Sequence, residues 1–222
     1  MATPRRRAPR GSGEQLRGEI LAAAKTLLAD TGNADAVSIR AVADVVGVTS
    51  PSIYLHFADK EALLEAVIAD VFVELDEQMN AGPDDLYPLE RLCQQGMAYV
   101  RFALRSPEHY RLATSAARTE VGHVDLVMRT SAFAHFSDTV VQCMKAGIFT
   151  EGDPVPIALE LWAAAHGIAS LLIAKPYLPW GDVEAVAYRV LRAAGVGRSV
   201  SDYLGEPTPE EFAAWRAGLP QR

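Results

Sequence analysis

The sequence predicts an all-α fold, and three observations carry that prediction. Apolar residues recur at spacings of three and four along most of the 222 residues, the spacing that lines one face of a helix. Ser, Asp or Thr stands directly before Pro at Ser50-Pro51, Ser106-Pro107, Asp153-Pro154 and Thr208-Pro209, a capping oxygen followed by the residue favoured in a first helical turn. No stretch alternates apolar and polar residues with a period of two, and no Asn-Gly or Asp-Gly turn separates β-branched runs, so strands are not expected.

Taken in order, residues 1–13 are mostly Arg, Pro, Gly, Ser and Ala with little to bury, and are expected to be a disordered basic arm. From Glu14, the residues Leu16, Ile20, Ala24, Leu27 and Leu28 share one helical face, and Gly32 supplies a left-handed stop. A short second helix has Ser38 as its cap, Ile39, Val42, Ala43 and Val46 on one face, and Gly47 at its end. Ser50-Pro51 opens a third, capped by Ser50 and read as running to Phe57. Asp59 caps a fourth, with Leu63, Leu64, Val67, Ile68, Val71, Phe72 and Leu75 as its apolar stripe. Beyond Gly82-Pro83, helices are expected near 87–105, 107–118, 123–147, 154–175, 182–195 and 208–217, the last opened by the capping-box run Thr208-Pro209-Glu210-Glu211. Leu161 to Ala174 is nearly all apolar but, at about fourteen residues against the ~20 that a bilayer requires, it reads as a buried helix, and no membrane partner is expected. No repeat of fixed period marks a solenoid.

Charge divides the chain. Its net −7 conceals a first sixty residues at +2, with eight Lys and Arg against six Asp and Glu, and a remainder at −9, with thirteen against twenty-two. A mildly basic head on an acidic body fits a chain that touches a polyanion at one end only. Cys93 and Cys143 are too few for a disulfide framework and have no ligand spacing, which fits a reducing cytoplasm. Arg5-Arg6-Arg7 precedes the apolar run Ile20 to Ala29, but Lys25 interrupts that run and Glu14 and Glu19 lie ahead of it, unlike an export signal. The usual catalytic motifs are missing, and His109, His123, His135 and His166 are not spaced with carboxylates as a metal set, so neither catalytic residues, nor a metal, nor a cofactor is expected.

Ser38–Val46, the turn Gly47-Val48-Thr49 and Ser50–Phe57 have the form of a helix-turn-helix, in which the second helix enters the major groove of DNA. Ile53 and Phe57, four apart, can anchor such a helix while Thr49, Ser50 and Ser52 offer hydroxyls at its groove end. Tyr54 and His56 carry donors that reach phosphate oxygens, and Lys60 lies in the first turn of the next helix. Other readings stay open: the two short helices as mere packing, Tyr54 as a core tyrosine, and Arg5, Arg6, Arg7 and Arg10 as a solvated tail rather than a DNA-contacting arm.

The run from Ser38 to Leu64, with Ala43…Gly47-Val48, Tyr54…Phe57 and Lys60-Glu61…Leu63-Leu64, resembles the DNA-binding domain of TetR/AcrR transcriptional regulators over about residues 14–70. The resemblance implies base or groove contacts from Arg40, Thr49, Ser50 and Ser52, and phosphate contacts from Tyr54, His56 and Lys60. Pro51 stands where the family often has a small or basic residue, so its contact is expected to be apolar, with a thymine methyl. Leu161 to Leu172 resembles the Trp…His-Gly segment of one class of TetR-family C-terminal domains. Together these imply an N-terminal three-helix DNA-binding domain over 14–60, followed by an α-helical ligand-binding and dimerisation domain over 61–222. They imply a homodimer formed through helices near 154–175 and 182–195, a palindromic double-stranded operator and a small-molecule effector. Phe72, Tyr99, Phe102, Tyr110, Met128, Phe133, Phe136, Trp162 and His166 are the candidate lining, each equally readable as ordinary core, and His166 as a satisfied core histidine. The function expected is a repressor that its effector releases from DNA. The alternatives are an activator of the same fold, or a helical enzyme or binding protein in which residues 14–64 are merely structural.

Overall fold

The computed structural model of the chain describes residues 12–83, 85–115, 131–205 and 207–220, and every α-helix or 3-10 turn in them is named here in chain order. The α-helices are α1 (Ser12–Thr31), α2 (Ile39–Val46), α3 (Ser50–Tyr54), α4 (Lys60–Asn80), α5 (Pro88–Arg105), α6 (Pro107–Ser115), α7 (Ser131–Lys145), α8 (Pro154–Ala174), α9 (Val183–Leu204) and α10 (Pro209–Ala217), and no strand occurs among the described residues. A 3-10 turn over Ala34–Ala36 joins α1 to α2. Residues 1–11 of the expected basic arm, Met128, and the parts of the expected helices 107–118 and 123–147 that fall in 116–130 lie outside the described residues, while Ser12 and Gly13, expected in the disordered arm, instead open α1.

The caps expected at Ser38, Asp59, Asp153 and Thr208 form, Asp182 adds one that was not expected, and the one expected at Ser50 does not form, because Thr49 stands at that cap with no side-chain bond. The first N–H groups of a helix lack intrahelical partners, and side-chain oxygens supply them. Ser38 Oγ accepts from the Ala41 amide at 3.1 Å, Asp59 Oδ1 from Ala62 at 2.7 Å, Asp153 Oδ1 from Val155 at 3.0 Å and Asp182 Oδ1 from Ala185 at 3.1 Å. Thr208 and Glu211 close a full capping box on α10.

Three expectations need correction. The third helix begins after Thr49 rather than Ser50 and stops at Tyr54 rather than Phe57. Pro51 then sits at the second helical position, where its missing N–H is also harmless, and Phe57 leaves the helix to enter the core. The ninth helix continues past residue 195 to Leu204. Gly195 is held by packing, since a Cβ there would lie 2.9 Å from Leu89 Cδ1, and the stop comes instead at Gly205 with φ of +72°. Finally, the apolar stretch read as a buried helix too short for a bilayer belongs to a 21-residue helix, α8, long and apolar enough by composition to span one. Less than half of that apolar stretch is buried within the chain.

Among the described residues the backbone forms two compact units, one of 12–80 with 101–115 and 131–134, the other of 81–83 and 85–100 with 135–205 and 207–220. In the first, Ile20, Ala24 and Leu28 of α1 meet Val42, Ile53, Phe57, Leu63 and Val67 in one buried core, and α6 packs on both α1 and α4. In the second, α8 and α9 pair, and α5 approaches α9 so closely that a Cβ on Gly96 would lie 3.0 Å from Leu191. Beside that crossing is a void of about 20 Å³, lined by Leu92, Cys93, Phe136 and Leu161 among others, with room for one water at most. Cys93 and Cys143 are free and buried, and burial pushes the Cys143 thiol up to about 12, with Cys93 adding to it, so neither is a ready nucleophile.

Candidate nucleic-acid interface

The turn between α2 and α3 depends on Gly47. Its φ of +75° is left-handed, a conformation that costs a side-chain-bearing residue but not glycine, and the Gly47 and Val48 amides both close on the Ala43 carbonyl, at 2.9 and 3.0 Å. This tight C-cap lets Thr49 begin the next helix at once. Ile53, fully buried, and Phe57 fix α3 from below, so the residues between and before them are turned outward.

Thr49, Pro51 and Arg40 are exposed, and Ser50 and Ser52 half-buried. Thr49 Oγ1 and Ser52 Oγ share a hydrogen bond of 3.0 Å, which holds both hydroxyls in one place while leaving each a further lone pair. Tyr54 is 54% exposed and is therefore not a core tyrosine. His56 is half-buried at the end of the same surface. Leu55, which the sequence reading passed over, is 84% exposed between them and offers an apolar contact to a sugar or a thymine methyl.

Two more residues at this surface escaped the sequence. The Arg17 guanidinium of α1 lies over the Phe57 ring, 5.1 Å from its centre, and the first turn of α1 runs beside His56, so that a Cβ on Gly13 would stand 3.9 Å from His56 Cε1. A cation is thus held next to the end of α3 by a residue forty positions away. Lys60 Nζ, the expected phosphate ligand, lies 3.3 Å from the Asp35 carbonyl and 3.7 Å from its carboxylate. No spacing rule brings α1 to Phe57 or the 3-10 turn to Lys60; only the packed core does.

Behind the surface, Lys25 of α1 binds Asp70 at 2.9 Å and Glu74 more closely still. Burial disfavours its charge, but the bonds from Glu74 and Asp70 outweigh that and raise its pKa.

The candidate effector residues divide between the units. Phe102 and Tyr110, buried, and Phe72 and Phe133, half-buried, belong to the first. Tyr99, Phe136, Trp162 and His166 belong to the second, where three of them meet: the Tyr99 hydroxyl is 3.2 Å from His166 Nδ1, and the Trp162 ring centre 5.8 Å from that of His166. His166 Nε2 is 3.3 Å from Ser170 Oγ, and burial holds the imidazole below its usual pKa, in the neutral form. A tautomer with its proton on Nε2 donates to Ser170 and accepts from Tyr99. One turn before Tyr99, Gln95 is 1% exposed with Oε1 lacking a partner, a buried acceptor that the sequence reading also missed. A groove of about 550 Å³ beside Phe149, Asp202, Tyr203 and Trp215 contains none of the expected lining. Among the described residues no cluster of His, Cys, Asp and Glu is arranged to hold a metal.

Comparisons with known proteins bear on both regions. Residues 20–67 match the family described as bacterial regulatory proteins of the tetR family, and residues 92–194 the one described as the tetracyclin repressor-like C-terminal domain. No curated protein gives a significant match. Similar solved structures include a protein of unknown function from Rhodococcus sp. RHA1, 26% identical, with a TM-score of 0.70 over 88% of this chain and 98% of that one. A TetR-like transcriptional regulator from the same organism is 20% identical, with a TM-score of 0.59 over 90% and 100% of the two chains. A TetR-family transcriptional regulator from Haemophilus influenzae RD is 23% identical, with a TM-score of 0.60 over 83% and 97%. The last two likenesses are of fold.

Proposed function

We propose that the chain, which belongs to the TetR family and is a DNA-binding transcriptional regulator, has no catalytic role and acts in the cytoplasm as a homodimeric repressor that a small molecule releases from its operator. The observation that carries the dimer is α8. It is apolar enough to span a membrane, yet Leu159, Ala163, Leu171 and Ala174 stand exposed along it and Gly167 has open space beyond its Cα. An apolar face of that length needs a cover. Glu160 on the same helix is paired with Arg198 of α9, 3.2 Å away, and an ion pair suits a protein partner better than lipid. The cover is a second copy, with α8 and α9 of each chain forming the seam.

Two heads then read one site. A single short α3 reaches few bases, and pairing by a two-fold axis doubles them, with half-sites about 34–36 Å apart or a multiple of that. Arg40, Thr49, Ser50, Pro51 and Ser52 take the groove, while Tyr54, His56 and Lys60 take phosphates. In the body, Tyr99, His166 and the unpartnered Gln95 acceptor supply polar handles among Trp162 and Phe136, which favours an uncharged effector carrying a hydrogen-bond donor. An effector that binds the mis-spaced arrangement of heads more tightly must release DNA, and DNA must weaken the effector by the same factor.

Selection of bound duplexes from a random-sequence pool tests this reading. The recovered site should be an inverted repeat with half-site centres about 10–10.5 bp apart or a multiple. A single unrepeated motif would remove the dimer, and lower expression of the controlled genes after deletion would make the protein an activator.

A further inference from the structure

Lys60 has an acid beside it that DNA reading does not call for. Asp35 lies in the 3-10 turn, where its amide donates to Asn33 Oδ1 at 2.8 Å and the Ala36 amide to the Asn33 carbonyl at 3.1 Å, so its main chain is fixed. Its two contacts with Lys60 differ in kind. The carbonyl, 3.3 Å from Nζ, is a rigid neutral acceptor that positions the ammonium. The carboxylate, 3.7 Å away on a side chain 95% exposed, is free to rotate and neutralises the ammonium from the solvent side. Asp59, the residue before Lys60, has its carboxylate committed to the Ala62 amide at the helix cap.

We propose that Asp35 is an internal stand-in for a DNA phosphate: its carboxylate occupies Lys60 in the free protein and is displaced when Lys60 takes a phosphate oxygen, while its carbonyl keeps the ammonium in place throughout. This rests on the reading of Lys60 as a phosphate contact. A lysine already neutralised by its own chain gains less from any phosphate, and fewer counterions are released when it binds one. The device therefore lowers affinity for DNA at large, leaving binding to the aimed contacts of a correct site, in keeping with a head whose net charge is only +2 over its first sixty residues.

Asp35→Asn in the full-length chain keeps the carbonyl and the side-chain volume and removes the charge, and fluorescence anisotropy with a random-sequence duplex across a salt series reads the result. We expect binding about three-fold tighter for each head, the scale of one exposed ion pair. The slope of log K against log salt should steepen by about one for each head. In a Lys60→Ala background the same Asp35→Asn change should alter neither, and far-UV circular dichroism should match the wild type in all variants. Tightening that persists without Lys60 means the acid merely repels DNA and overturns the pairing alone, and no tightening by Asp35→Asn overturns it too. If wild type and Lys60→Ala bind alike, Lys60 is not a phosphate contact, and that reading falls together with the stand-in.

Discussion

His109 on α6 donates from Nε2 to the main-chain carbonyl of Lys25 on α1, 3.1 Å away, while the ammonium of the same lysine holds Asp70 and Glu74 on α4. One residue thus ties together three helices of the unit that carries α3. α6 packs on α1 and α4 around this point, and Glu108 beside His109 lies against Gly32, where a Cβ would meet its carboxylate at 3.6 Å. A shift of α6 cannot leave α1 and α4 untouched.

Replacing the lysine exposes the strength of that tie. Lys25→Met leaves Asp70 and Glu74, one turn apart, with no cation between them, and should lower stability by about 1 kcal/mol at neutral pH, read by thermal unfolding. The Lys25 pKa is raised above its ordinary 10.5, so the folded state holds this proton more tightly than the unfolded chain. The contribution is complete below 10.5 and is lost as pH climbs through the raised value. Wild-type and Lys25→Met unfolding curves should converge in the alkaline range; a constant gap there would refute the ion pair as the cause.

His166 carries the opposite sign. Its pKa is lowered by burial, so the unfolded chain binds the proton more readily and the fold loses stability as pH falls below the usual histidine value of 6.5. Protonation of Nδ1 also forces the Tyr99 hydroxyl to give up its donor role. His166→Gln should flatten the slope of melting temperature against pH between about pH 6.5 and pH 5. An unaltered slope would place the acid sensitivity elsewhere.

Gly167 separates folding from assembly. Nothing within 4 Å would meet a Cβ there, so a side chain can be added without disturbing the chain's own packing. Gly167→Arg should leave the helix content unchanged and convert the dimer to monomer in analytical ultracentrifugation. A dimer of unchanged affinity would move the seam away from this face of α8.

The elements whose ends have a chemical signature were legible in the sequence. Ser38, Gly47, Asp59, Asp153 and Thr208 mark boundaries that the hydrogen bonds reproduce, because a cap is a local bargain between one side chain and the next three amides. The end expected near residue 195 was wrong for a tertiary reason: the helix runs on to Leu204, and Gly195 inside it is the contact where Leu89 reaches α9. Phe57 misled likewise, since the core draws it out of α3. At the site, the hydroxyl and aromatic residues from Thr49 to His56 were readable as one surface because they are contiguous. Arg17 and Asp35 were not, because their partners Phe57 and Lys60 are brought to them only by the packed unit. Gln95 gave no signal at all, since an orphaned carbonyl is a property of its surroundings.

Titration of the full-length protein against a duplex spanning the DNA upstream of its own gene, at about 0.15 M salt, tests the central claim most directly. A dimeric reader should form a complex with two chains per site at protein concentrations below about 1 μM, and Gly167→Arg should abolish it at those concentrations. Failure of the wild type to bind below that level, or equal binding by the monomeric variant, would contradict the account.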